Sequence, residues 1–526
     1  MLHVPHPHPP RPAAGAEAGT RVPVNPTAVL ITSCAVLFMI AVNTTAINTA
    51  LNGIAEDLGM GSGELSWAVG IYLLAASAFI VVGGRLGDMF GERPVMIVGL
   101  AVFSVAALVI ALADAGWLVI AGRFGQGLAA AFMMPATMAV LRLAYPPERQ
   151  GFALGVWGAV GGVAFALGPL IGGVLTDAAS WRWVWWGSLV VAGVLVWATL
   201  ATLRGMPRPS ERARFDFAGA ALLAVSLFAL ILAIQQGPVW GWDSPGVIAA
   251  FAAATAGLVA LVAVETRLES PMLHLRLLRI RALATANLGT FTNAIFLIGI
   301  LYYFNLYAQS VVTLDYSAIG ASVALLPYGA CVFIASLLVG RVSDRMGFRW
   351  PIAVGLVLMG VGALLLSRVD AVSDYGDLWW PTMVLGTGVG ITFSAPSAVG
   401  LRAVPGNEAG EASGIINVLR YLGAALVVAV GTVFYVSVGS DDLNRSLERA
   451  GIATQERDTL DHTLTGAPSQ VRAAEAQLSE RDRRAFEAGA ADGVAGGFAA
   501  VMLGTGILSL LASVLWVVLM RPARGP

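Results

Sequence analysis

Fourteen separate runs of predominantly apolar residues divide this chain. Each is about 20 residues long, enough to cross roughly 30 Å of hydrocarbon as a helix. They span approximately 28–51, 65–86, 94–113, 117–141, 151–175, 183–203, 217–236, 246–265, 284–311, 317–340, 351–367, 379–401, 412–438 and 494–520. A soluble domain carries about 25% charged residues, whereas here 12% are charged, 57% are hydrophobic and the mean hydropathy is +0.77. In lipid every backbone N–H and C=O needs an internal partner, so runs of this length must be helical. The expected fold class is an all-α polytopic membrane protein.

The basic residues orient the spans. Loops after even-numbered runs are Arg-rich, with Arg85 and Arg93, Arg142 and Arg149, Arg204 to Arg214, Arg267 to Arg281, and Arg341 to Arg349. Short loops after odd-numbered runs are acidic, as at Glu56, Asp57, Asp114, Asp243, Asp315 and Asp374. Both termini are therefore expected in the cytoplasm, with the chain in the plasma (inner) membrane and in contact with its lipids. Residues 1–27, rich in Pro and Ala, read as a cytosolic disordered tail, and 521–526 as a second short tail. Between them, 28–203 reads as a six-helix lobe, 204–283 as a linker with two extra spans, and 284–520 as a second six-helix lobe. One outer loop is long: 440–492 reads as a mobile solvated insertion, whose mixed-charge segments SLERAGI and QLSERDRRAFEAG could form amphipathic helices.

Several function classes are excluded by residue type. The chain contains no Lys, so it holds no Gly-Lys-Ser/Thr phosphate loop and a nucleotide-driven pump is not expected. Cys34 and Cys331 both lie in apolar runs and read as small buried hydrophobes. Three His fall in the first tail, and His274 and His462 fall in loops. No metal-like spacing or clustered catalytic set appears, so no metal site and no enzyme is expected.

GRLGDMFGER, from Gly84, and GRVSDRMGFR, from Gly340, repeat Gly, Arg, Asp, Gly and Arg at matching places after the second span of each six-helix set. Asp88 and Asp344 can accept bonds from free N–H groups and pair with Arg. Gly91 and Gly347 permit a tight reversal, and Arg85, Arg93, Arg341 and Arg349 hold the Arg-rich side. With IAGRFGQGLAAA (Arg123, Gln126), GVWGAVGGVAFALGPLIGG (Gly158, Gly162, Gly168, Pro169, Gly172, Gly173), SWRWVWW, RFDFAGA, SPMLHLRLLR and EASGIINVLRYLG, the chain resembles the fourteen-helix drug:proton antiporters of the major facilitator superfamily over about 28–520. The resemblance implies two six-helix lobes plus two additional helices, working as a monomer without cofactor or nucleic-acid partner. It implies proton-coupled efflux of small amphipathic molecules by alternating access, with the Gly-rich fifth span sealing the interface between lobes.

A substrate cavity is expected from polar residues inside the spans: Asn43, Thr44, Thr45, Asn48, Arg123, Gln126, Asn293, Tyr302, Tyr303, Asn305, Asn417 and Arg420. At about 100° per residue, Thr44, Thr45 and Asn48 share one face of the first span, with Asn43 off its edge. No Asp or Glu lies near a span midpoint, which suits neutral or anionic substrates better than organic cations. Val42-Asn43-Thr44-Thr45 falls where the family usually reads Leu-Asp-x-Thr. An amide thus stands in place of the usual carboxylate, and neither cation recognition nor proton carriage by that residue follows. The alternatives are a dedicated exporter or facilitator of one neutral or anionic metabolite, and a receptor or scaffold that does not transport.

Overall fold

The computed structural model describes residues 25–60, 62–206, 216–267, 273–450 and 480–520. Six helices form the first lobe: α1 (Pro26–Leu58), α2 (Ser62–Phe90), α3 (Glu92–Ala111), α4 (Gly116–Ala144), α5 (Gln150–Ala178) and α6 (Trp183–Thr202). An extra pair follows, α7 (Phe217–Trp240) and α8 (Pro245–Glu265). The second lobe comprises α9 (Arg281–Gln309), α10 (Ala318–Ala324), α11 (Leu326–Met346), α12 (Arg349–Leu366), α13 (Tyr375–Arg402), α14 (Ala409–Ala450) and α15 (Glu480–Leu519). Residues 1–24, with the three tail His, 451–479, with His462, and 521–526 lie outside the described residues. Among those described, thirteen helical spans are long and apolar enough to cross a membrane, and α5, bent by 41° between Phe165 and Leu167, brings the number to fourteen.

Local chemistry sets the helix ends. The Asn25 side chain accepts from the N–H groups of Thr27 and Ala28, Pro26 occupies the first turn, and Gly59 ends α1 at φ 65°. Ser244 followed by Pro245 starts α8 in the same way, and Asp374 with Asp377 forms a capping box on α13. The single run expected at 317–340 is two helices, α10 and α11, which meet at Leu325. Pro327 there cannot supply the N–H that would continue the ladder.

The lobes repeat one packing scheme. In the first, α1 packs on α5, α2 on α4, and α3 on α4 and α6; in the second, α9 packs on α14, α11 on α13, and α12 on α13 and α15. The lobes then meet reciprocally, α2 against α14 and α11 against α5. The extra pair flanks the first of these seams, with Ile231 and Ile234 of α7 set between Leu74 of α2 and Ala425 and Ala429 of α14. Large apolar side chains such as Val190 and Trp197 of α6 and Val259 of α8 face outward, as lipid-facing surfaces do.

The long outer loop differs most from expectation. At 1.5 Å per residue the 42 residues of α14 and 40 of α15 reach about 60 Å, well past a bilayer's hydrocarbon. Both flanks of 440–492 are therefore ordered helix, with Leu443 and Phe486 buried and Asp442 paired to Arg445 at 2.6 Å. Among the described residues, the charges at 440–450 and 480–492 lie on two packed helices. Cys34 is buried, whereas Cys331 is only half-buried.

Candidate functional site

The two repeated loops lie at the Arg-rich end, and each reaches across to the opposite lobe. Asp88 Oδ1 and Oδ2 accept from the N–H groups of Gly410 and Glu411 at 2.8 and 2.7 Å, at the start of α14. Asp344 Oδ2 accepts from the N–H of Phe152 at 3.1 Å, at the start of α5. A carboxylate there meets both the unpaired donors of the first turn and the positive end of the helix dipole. These contacts need near backbone-to-backbone approach: a Cβ on Gly84 would fall 2.1 Å from the Gly410 oxygen, and one on Gly340 2.4 Å from the Gly151 oxygen. Gly91 and Gly347 adopt φ of 93° and 81°, the conformation that favours glycine.

The arginines of these loops divide their work symmetrically. Arg93 donates to the Leu200 carbonyl of α6 and Arg349 to the Val517 carbonyl of α15, tying each loop to its own lobe. Arg85 lies 3.7 Å from Glu411, and Arg341 sits over the Phe152 ring at 5.2 Å, both across the seam. Two further arginines complete the gate, Arg142, read from sequence only as an orientation signal, and Arg402, which the sequence reading did not single out. Arg142, at the end of α4, donates to the Val404 and Pro405 carbonyls. Arg402, at the end of α13, donates to the Pro147 carbonyl and pairs with Asp344 at 2.7 Å. A second repeat could have revealed them: Leu141-Arg142 and Leu401-Arg402 are each followed by Pro and Glu before the next helix and by Gly at that helix's second position.

The gate on α14 has an additional layer. Glu411 is fully buried and accepts from the backbone N–H of His274, while its Oε2 lies 2.9 Å from His274 Nδ1. The hydrogen bond to Glu411 raises the His274 pKa above its ordinary value of 6.5. Arg276, two residues on, pairs with Glu408. The segment leading into the second lobe is thus pinned to the gate by residues that looked, in sequence, like ordinary loop.

Within the first lobe the polar residues mostly satisfy one another. Arg123 is 1% exposed. It donates to the Asn43 and Ala68 carbonyls and to Gln126 Oε1, and stacks on Tyr72 at 4.3 Å. The Asn43 side chain is buried too, donating to the Met39 carbonyl and accepting from Ser188 of α6 at 2.9 Å. Thr44 bonds Tyr72 of α2, and Thr45 donates to the Phe165 carbonyl at 3.1 Å. That carbonyl is the one Pro169 leaves without its helical N–H, so Thr45 covers the defect that the proline makes in α5. Asn48 alone of this group is exposed.

In the second lobe, Asn293 donates to the Val389 carbonyl and to Thr392 of α13, and Tyr303 bonds the Val427 and Val428 carbonyls of α14. Tyr302 stacks edge-on against Tyr303 and is 40% exposed, and Asn305 is half-buried with Gln309 bonded to it. Asn417 donates to the Ser413 carbonyl. Arg420 donates from Nη2 to the Phe393 carbonyl at 3.2 Å. The glycines of α5 serve both lobes. Gly158 and Gly162 face Ser394 and Val332 across the seam, whereas Gly168, Gly172 and Gly173 face Thr45, Ala46 and Thr49 of α1 within the lobe.

Comparison with known proteins agrees with this architecture. The Major Facilitator Superfamily profile matches residues 33–428. The multidrug resistance protein Stp of Mycobacterium tuberculosis is 32% identical, over 79% of this chain and 76% of its own. The tetracenomycin C resistance and export protein of Streptomyces glaucescens is 29% identical, over 76% and 74%. The cephamycin export protein CmcT of Amycolatopsis lactamdurans is 31% identical, over 77% and 84%. Among solved structures, the human organic anion transporter MFSD10 superposes with a TM-score of 0.61 at 14% identity, over 93% of this chain and 99% of that one. Sequence profile, relatives and fold agree that this chain belongs to the Major Facilitator Superfamily.

Proposed function

We propose that this protein exports small amphipathic molecules across the plasma membrane by alternating access, with its Arg-rich end in the cytoplasm and protons as the antiported ion. Relatives named for multidrug resistance, antibiotic resistance or export support the direction of transport. The observation that carries the mechanism is the reciprocal gate. Asp88 and Asp344 each hold a helix of the opposite lobe, so the cytoplasmic side opens only when both contacts break. Rigid lobes joined by breakable polar contacts are a bistable device of the kind alternating access needs.

Of the polar set, Asn48, Tyr302, Thr44, Thr45 and Asn305 are the exposed or half-buried members and are proposed to meet substrate. Asn43, Arg123, Gln126, Asn293 and Tyr303 hold the helices that carry them. No carboxylate among the described residues lies at a span midpoint. Asp88 at the gate, or a titratable group on the substrate, is therefore the proposed proton carrier.

The reading is tested in a pump-deficient host and in vesicles. Expression is expected to raise resistance to several unrelated amphipathic compounds, and vesicle transport is expected to follow an imposed pH gradient. Transport indifferent to that gradient would remove the proton and leave a facilitator; no transport of any compound would remove the export reading.

A further inference from the structure

We propose that Arg420 is the seat for an anionic group, a carboxylate or phenolate, on the transported amphipathic molecule; this deepens the export reading and rests on it. Arg420 lies eleven residues into α14 from its Arg-rich end. That is about 16 Å along the axis, half the depth of a roughly 30 Å hydrocarbon layer. It is only 6% exposed. Its Nη2 donates to the Phe393 carbonyl, yet Nε and Nη1 find no acceptor among the described residues. At least three of the five guanidinium N–H donors are therefore open. No ion pair among those described neutralises the charge.

An unpaired ion held out of water is costly by several kcal/mol. Arg123, at comparable burial in the other lobe, has three acceptors and a ring and leaves only Nη2 without a partner. Arg420 has one carbonyl and the face of Phe393 at 4.9 Å, which orients the guanidinium without neutralising it. Phe393 in turn lies 6.2 Å from the Trp157 ring of α5, so the cation rests on an aromatic pair that bridges the two lobes. One turn nearer the gate, Asn417 Oδ1 is also buried without a donor. The unpaired cation suits an amphipathic anion that supplies the missing charge as it binds, and the Asn417 oxygen, an acceptor, suits a hydroxyl or N–H donor elsewhere on the same molecule.

The test uses the full-length protein in detergent and in vesicles, with two fluorescent probes of one shape: pyrenebutyrate and its neutral amide. The wild type is expected to bind pyrenebutyrate about tenfold more tightly than the amide, and Arg420→Gln to abolish that preference while changing amide binding less than about twofold. Equal binding of both probes by the wild type would overturn the proposal, and so would equal losses for both in the variant, since those report a structural arginine. If the Gln variant does not fold, Arg420→Lys takes its place. A preference cut several-fold with amide binding unchanged supports the seat, and an unaltered preference overturns it. A wild type that exports the amide without charge preference leaves the export reading standing and removes only Arg420. Binding and export of neither probe would count against both.

Discussion

Arg123 and Arg420 are both cations buried within the spans, and they are held to different degrees, Arg123 leaving one nitrogen open and Arg420 two. Arg123 is wired into α1, α2 and its own helix by bonds to the Asn43 and Ala68 carbonyls and to Gln126. Arg420 is fastened at one nitrogen and left open at two. The first lobe thus uses its arginine to fix helices, and the second presents one. At the gate the lobes are matched again, Asp88 to α14 and Asp344 to α5, except that only the α14 side carries Glu411 and His274. Internal duplication has kept the hinge-like contacts alike and let the interior diverge.

The largest effect should come from breaking the wired side. Arg123→Ala removes three hydrogen bonds and a ring contact that join α1, α2 and α4 and leaves a cavity, and is expected to cost about 3 kcal/mol, seen as a fall in thermal unfolding temperature and in export of every substrate. Arg420→Gln should unfold within a few degrees of the wild type. If the two substitutions destabilise equally, the contrast between a fixing and a presenting arginine is wrong.

Next come the matched gates. Asp344→Ala removes the cap on α5 and the partner of Arg402, while Asp88→Ala removes two N–H contacts on α14. Each should weaken the closed gate by about 2 kcal/mol, read as faster labelling of a cysteine placed at the seam on the Arg-rich end. A response to one substitution alone would show that the symmetry is only geometric.

A smaller effect is expected at Thr45. Thr45→Val leaves the Phe165 carbonyl, freed by Pro169, without a donor, at about 1 kcal/mol. Thr45→Ser, which keeps the hydroxyl, should restore stability, and failure of that rescue would assign the loss to packing.

The smallest effect separates the two gates by pH. His274 is raised by its bond to Glu411, and Arg85 and Glu408 also face it. Because its folded pKa lies above 6.5, the charged pair is complete below that value and is lost as pH rises through the raised one. His274 therefore loosens the seam as pH rises, and seam labelling should increase more from mildly acidic to alkaline pH in the wild type than in His274→Gln, which keeps only the contribution of Asp88.

Much of the fold was legible because lipid leaves the backbone few choices. Apolar run length, Arg sorting and the repeat of GRLGDMFGER in GRVSDRMGFR point to fourteen spans, twelve in two lobes and two between them, without any knowledge of contacts. The site was less legible. Asn43 and Asn48 lie on the same helix of one polar run, yet one is bonded inside the lobe and the other is exposed. Which face meets another helix depends on partners far away in sequence. Glu411 and His274 looked like end and loop residues, since Glu411 is buried, and His274 bonded to it, only through contacts distant in sequence. The outer ends of α14 and α15 were legible as segments able to form amphipathic helices, but not as continuations of the spans, because charge on one face of a packed helix resembles charge in a loop.

The central claim is that reciprocal aspartate contacts hold the two lobes shut at the Arg-rich end. Electron–electron distance measurement between spin labels at the exposed positions Phe90 and Met346, one per lobe, addresses it directly. The account predicts one short distance in the resting protein, and a second, longer population when Asp88 and Asp344 are both replaced by Ala. An unchanged distribution in that double variant would contradict it.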